Sequence, residues 1–156
     1  APCNLHWLEE PILPPENFEA LYELRNLHGI PIATGENACT AWQFSQMFKA
    51  GAVDYAQPSV TKVGGITEMK KVSTLAEIEN VTLQPHSPYF GPGFLATLHL
   101  LAASSGTQSI ERFYVTLDAD MYEKALDPID GLIQIPNSPG LGLDPDPAFI
   151  KKYRTD

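Results

Sequence analysis

Two carboxylates close short apolar runs in this chain, Glu9 in Trp7-Leu8-Glu9-Glu10-Pro11 and Glu36 in Thr34-Gly35-Glu36-Asn37. If the two runs are adjacent strands, their ends bring negative charges together, and something positive must lie between them. A hard divalent cation does this, and Mg²⁺ takes oxygen ligands in near-octahedral geometry. The competing reading is that both are helix-entry charges, favoured by the macrodipole of the helix that follows each. His86, in Gln84-Pro85-His86-Ser87-Pro88, adds a group that takes or gives a proton near pH 7. Against that stands a loop histidine whose ring is merely hydrogen-bonded. Glu111, in Ile110-Glu111-Arg112, serves either as a salt-bridge partner of Arg112 or another cation, or as a donor, acceptor or ligand at the same mouth.

Elements that bring these residues together are written in the hydrophobic periodicity. Strand-like runs at His6–Pro11, Ile30–Asn37, Ala52–Val60, Val81–His86 and Ser109–Val115 alternate with helical stretches. The first helix has Pro15 in its opening turn, Phe18, Leu21, Tyr22, Leu24 and Leu27 near helical spacing, and Gly29 as its cap. The second carries Trp42, Phe44, Met47 and Phe48 and ends on Gly51; the third carries Ile66, Met69, Val72, Leu75, Ala76 and Ile78. A strongly apolar fourth helix follows Gly91, and irregular, Asp- and Pro-rich sequence follows the fifth strand. Strands joined by single helices must pair in parallel, and ligands of such sheets bind where the strands end. The strand-end residues are Glu9, Glu10, Glu36, Ser59, His86 and Glu111. Alternation sends Glu9 and Glu10 to opposite faces. His6 within a strand, His28 at a helix end and His99 on an apolar helix face need only packing roles.

The chain has 156 residues and a formal charge of −9, which argues against nucleic acid or an anionic membrane as partner and for a small or metal-bound ligand. No run of 18 apolar residues and no basic-then-apolar leader is present, so the expectation is a soluble cytoplasmic protein. Cys3 and Cys39 lack metal-ligand spacing and read as buried or idle thiols. Gly64-Gly65 and Phe90-Gly91-Pro92-Gly93-Phe94 open helices without a complete phosphate-binding motif, which leaves phosphate at a helix N-terminus as a minor alternative.

Six stretches in this order, WLEEP, TGEN, QPSVTKVGGITE, QPHSPYFGPGFLATLHLLAA, IER and IPNSPGLGLD, resemble the C-terminal part of the mandelate racemase and muconate lactonizing branch of the enolase superfamily. The resemblance runs essentially end to end. It implies an α/β fold, strands 4 to 8 of a (β/α)₈ TIM-type barrel, with an N-terminal capping domain and the first strands absent from this chain. Residues 1–130 are then the partial barrel, and 131–156 a return segment that adds a strand toward the capping domain. It implies Glu9 and Glu36 as the second and third ligands of an essential Mg²⁺, with Glu10 beside the ligand. The first ligand and a lysine base pair belong to strands before Ala1. His86 becomes the second acid or base, and Glu111 the glutamate that hydrogen-bonds the substrate carboxylate. The full-length protein is expected to be a homo-oligomer.

The chemistry so implied is removal of the proton next to a carboxylate, whose enediolate product needs a cation and donors in place. One departure stands out. Where racemase-like relatives carry an Asp that holds the histidine, and muconate-like ones a Lys, this chain has Ser59, which can share a hydrogen bond with His86 but cannot supply charge. Lys62 is expected to face away from Ser59's side by strand alternation, and Asp54 to lie at the opposite end of the strand. The leading expectation is an Mg²⁺-dependent dehydratase of a sugar acid or other hydroxy acid, acting on a small carboxylate. Its nearest rival is a racemase or epimerase of the same mechanism. An alternative of another class is a catalytically incomplete barrel half that only associates with a complementary piece.

Overall fold

Short strands alternate with helices in the order β1 (Leu8–Glu9), α1 (Phe18–His28), β2 (Ile32–Thr34), α2 (Ala41–Lys49), β3 (Tyr55–Ala56), α3 (Ile66–Ile78), β4 (Thr82–Leu83), α4 (Pro92–Ala102) and α5 (Pro147–Tyr153). This is the computed structural model, which describes residues 3–105 and 109–155. The strands lie side by side in sequence order and all run parallel: Leu8 pairs with Ile32, Ala33 with Tyr55, and Tyr55 with Thr82. Each helix therefore returns the chain to the same end of the sheet, and the C-terminal ends of the strands open on one side. Single backbone bonds prolong the ladder past the strands, from Glu10 to Ala33 (3.0 Å), Gln57 to Thr34 (2.9 Å) and Gln84 to Ala56 (2.8 Å). Those bonds fix the direction in which the strand-end residues leave the sheet.

Local chemistry sets the helix starts. Asn17 accepts from the Ala20 N–H at 3.1 Å and Thr40 from the Gln43 N–H at 3.2 Å, each satisfying a free donor of a first turn. The α1 start is thus Phe18, and Pro15 lies ahead of the helix rather than in its opening turn. Leu21, Phe44, Met47, Met69, Val72 and Ala76 are buried between helices and sheet, and all of β2 is buried because strands flank it on both sides. The apolar stripes read from the sequence are wider than the faces that pack. Trp42, Ile66, Ile78, Tyr22 and Leu27 are exposed, since each lies on the shoulder of its helix beyond the reach of the sheet.

Two expected elements differ. Ser109–Val115 forms no strand among the described residues. Side chains hold its first part beside β4 instead: Gln84 accepts from the Ser109 hydroxyl at 3.0 Å and donates to its carbonyl at 3.3 Å, in place of a backbone ladder. Further along, Tyr114 is exposed. The C-terminal stretch, read as irregular with an added strand, holds the helix α5. Its signal was Asp146-Pro147, where the carboxylate accepts from Ala148 N at 2.9 Å and Phe149 N at 3.3 Å and proline takes the first helical position. This segment folds back on α4, with His99 Nε2 3.0 Å from the Leu141 carbonyl oxygen. Among the described residues, no helix is long and apolar enough to cross a membrane. Cys3 and Cys39 are free thiols, both exposed rather than buried.

At the far end of the sheet Asp54 pairs with Arg25 at 2.5 Å and accepts the Ile32 N–H at 2.8 Å. Burial alone pushes its carboxyl up, but the Arg25 hydrogen bond, the Ile32 N–H and the Arg25 charge outweigh it and hold it below the usual carboxylate range. Asp54→Asn is expected to lower stability at neutral pH by about 1 kcal/mol, at the small end for a charged hydrogen bond because water reaches Arg25. A carboxyl with a depressed folded-state pKa stabilises above its unfolded value and loses that contribution as pH falls through the folded one. Urea titrations should therefore show the gap between wild type and variant closing below about pH 4, the ordinary range for Asp.

Candidate active site at the strand ends

Glu9 is the last residue of β1, and two donors hold its Oε2: the Trp7 indole N–H at 2.9 Å and the Gln57 side-chain amide at 2.8 Å. Gln57 leaves β3 almost fully buried, and its own Oε1 has no partner. Glu10 turns the other way into a left-handed conformation (φ 44°). That strained backbone is secured by bonds to its carboxylate from the Thr34 hydroxyl, from Gly35 N at 3.0 Å and from Asn37 at 3.4 Å. Glu9 faces the strand-end mouth, while Glu10 buttons β1 to the loop after β2. The two carboxylates meet different partners, but Glu10 lies past the strand end in left-handed backbone, so strand alternation is not what separates them.

Gly35 carries that loop. Its φ is 128°, and a Cβ there would lie 2.7 Å from Phe44 Cε1 and 3.3 Å from Gln57 N. Gly35→Ala should cost about 2 kcal/mol or more from backbone strain plus overpacking. Chemical denaturation checks it: a loss below about 0.5 kcal/mol would mean that the loop has room to give.

The loop delivers Glu36 to the centre of the mouth. His86 Nε2 lies 3.0 Å from Glu36 Oε2, and Lys62 Nζ lies 3.8 Å from Oε1. An ionised carboxylate only accepts, so in such a hydrogen bond the donor is His86 Nε2–H. His86 Nδ1 is buried without a partner, and Ser59, also buried, has its hydroxyl 3.0 Å from that of Thr61. Ser59 thus does not hold the imidazole in this structure. Glu111 Oε2 accepts the Ser87 N–H at 3.2 Å, while the Ser87 hydroxyl donates to the Glu111 carbonyl at 2.8 Å. Its carboxylate is bound to the residue after His86, and Arg112 pairs with Asp127 at 2.6 Å rather than with Glu111.

Lys62 corrects an expectation. β3 ends at Ala56, and beyond it the chain turns helically, with Lys62 N and Val63 N both 2.9 Å from the Ser59 carbonyl and Gly65 N 3.0 Å from that of Val60. Strand alternation no longer applies there, so the ammonium reaches Glu36. Asp54 lies at the far end of the sheet, as expected. Trp7, Gln57 and Ser87 also contact the strand-end carboxylates, at positions two before or one after residues that stand out in the sequence, and Lys62, expected to face away, contacts Glu36.

Hard oxygen donors on Glu9 and Glu36, with the unpartnered buried Gln57 Oε1 beside Glu9, suit a Mg²⁺ ion rather than a softer metal. Among the described residues no group of three or more His, Cys, Asp or Glu side chains is placed to hold a metal ion, so these residues would supply only part of a ligand set.

Residues 1–149 match the family described as enolase C-terminal domain-like. The chain is 29% identical to the D-galactarolactone cycloisomerase of Agrobacterium fabrum, covering 97% of this chain and 42% of that protein. It is 32% identical to the D-galactonate dehydratase of Ralstonia pickettii, over 92% of this chain and 40% of that one. Among solved structures, a mandelate racemase/muconate lactonizing enzyme-like protein from Rubrobacter xylanophilus superposes with a TM-score of 0.85 at 35% identity, covering 99% of this chain and 40% of its own. The chain thus spans about two fifths of the length of the relatives it matches. With the family match across nearly its whole length and a parallel α/β sheet presenting its strand-end carboxylates on one side, this chain belongs to the mandelate racemase and muconate lactonizing family of the enolase superfamily, as its C-terminal portion.

Proposed function

We propose that this chain forms part of an Mg²⁺-dependent enzyme that removes the proton next to the carboxylate of a sugar acid or other hydroxy acid and expels an oxygen from the neighbouring carbon. In this reading β1 to β4 are strands 4 to 7 of a (β/α)₈ barrel, and residues 131–156 return toward a capping domain. Glu9 and Glu36 would hold the ion together with a ligand from outside this chain, and the ion would supply charge stabilisation beside the substrate carboxylate. The observation that carries the reading is His86 Nε2, 3.0 Å from Glu36 Oε2 at the strand-end mouth. From there His86 gives its proton to the departing oxygen as a general acid. Without an Asp at position 59 its buried Nδ1 has no charged partner to make it a strong base, which favours elimination over the matched pair of bases that racemisation needs. Glu111, at the mouth beside Ser87, would bind the substrate carboxylate by donating a hydrogen bond from its carboxyl in the protonated form.

The departing oxygen is a free hydroxyl in a dehydration and a ring oxygen in a ring opening; relatives named as dehydratases and as cycloisomerases support both. Because those relatives match along nearly the whole chain as part of larger enzymes, an inert barrel half is the less supported reading. The test is a panel of sugar acids and their lactones incubated with the protein at its full natural length and Mg²⁺ in deuterated water. Loss of water or ring opening is expected. Exchange of the α-proton with neither change would overturn elimination in favour of racemisation.

A further inference from the structure

Both oxygens of Glu36 already have a positively charged or proton-bearing neighbour in the fold itself, His86 on one and Lys62 on the other. Lys62 is not there by a loose swing of a surface side chain. Its backbone lies in the turn closed by the Ser59 and Val60 carbonyls, and Val60 and Val63 are buried on either side of it. Thr61, the residue before, packs tightly against Gly93 at the start of α4: a Cβ on that glycine would come within 2.5 Å of the Thr61 methyl. The turn is thus pinned to two elements, and the half-exposed Lys62 side chain is directed across the mouth to Glu36.

We infer that Lys62 is a resident counter-ion of Glu36, a positioning residue that neutralises the carboxylate in the metal-free protein and weakens the binding of a divalent cation there. The inference rests on the Mg²⁺ reading above. Its physical basis is direct. A cation that takes Glu36 as ligand comes close to an ammonium that is 3.8 Å from the same carboxylate, and the two positive charges repel across a short, partly desolvated distance. The ammonium also offsets the negative charge of Glu36 when no ion is bound. The protein's charge of −9 draws cations toward it in general. Lys62 opposes that pull at one point only, and makes the ion exchangeable.

Calorimetric titration of MgCl₂ without substrate tests this on the protein at its full natural length. Lys62→Met is expected to bind Mg²⁺ on the order of fivefold more tightly than wild type. Lys62→Arg, which keeps the charge, should stay within about twofold. Circular dichroism melts of the metal-free variants confirm folding, and Lys62→Gln replaces the methionine variant if that one is unfolded. Unchanged or weaker binding by the neutral variant, beside measurable binding by wild type, overturns this inference and leaves the metal site standing. Equal tightening by Lys62→Arg overturns it as well, because packing and not charge would be responsible. No Mg²⁺ binding by wild type overturns both readings together.

Discussion

Replacing His86 by alanine is expected to lower turnover by about a hundredfold or more, the scale of a lost general acid or base, while KM changes little and Mg²⁺ affinity does not fall. The expectation follows from where the imidazole is held. Its Nε2 reaches the mouth beside Glu36, and its Nδ1 is buried with no hydrogen bond to lose. Removing the ring therefore deletes a proton donor and breaks only its contact with Glu36. It also takes one competitor away from Glu36. Steady-state kinetics on a sugar acid turned over by wild type separates kcat from KM, and calorimetry follows the metal. A variant that keeps wild-type turnover removes His86 from the chemistry; one that loses Mg²⁺ makes it a ligand or a structural support.

Glu36→Gln is expected to abolish activity through the metal, with Mg²⁺ affinity reduced by at least a hundredfold. Loss of residues that only orient a ligand already costs ten- to a hundredfold, and loss of a ligand's charge exceeds that. Folding should change by no more than about 0.5 kcal/mol, because Glu36 is partly exposed and buttresses no backbone group. Glu10→Gln is the informative companion. Its carboxylate secures Thr34, Gly35 and Asn37, so that variant is expected to lose about 1–2 kcal/mol of stability while its Mg²⁺ affinity holds. If the two glutamate variants exchange these phenotypes, the ligand assignment between the adjacent strands is wrong. Metal titration and urea denaturation of both proteins distinguish the cases.

The alternating short strands and amphipathic helices were legible without coordinates because hydrophobic period is a local property. Leu21, Phe44, Met47, Met69 and Val72 mark helical faces in the sequence and fill the core in the fold. Parallel pairing followed from single-helix crossovers, and with it the list of residues at the strand ends. The fifth strand did not follow. Ser109–Val115 has strand-like composition, but whether such a run joins a ladder depends on backbone groups brought to it by other elements, and here Gln84 and Ser87 side chains meet it instead. Helix α5 did not follow either: the irregular composition around it hid the cap signal of Asp146-Pro147.

At the site the division is sharper. Residue type and position at a strand end singled out Glu9, Glu36, His86 and Glu111, since carboxylates and imidazole announce their chemistry; the left-handed turn of Glu10 past the strand end is what separates it from Glu9. Which partner each would meet was decided only in three dimensions. Glu9 found Trp7 and Gln57, Glu111 found Ser87 in place of Arg112, and Ser59 found Thr61 and not His86. Lys62 is the clearest case: alternation assigned it away from the site, and a helical turn after Ala56 carried it to Glu36. Chemistry and period are carried by each stretch of chain on its own, and they determined the elements and the reactive groups. The direction of a side chain beyond a strand end depends on where the backbone stops being extended, and on what packs against that turn, which only the assembled fold decided.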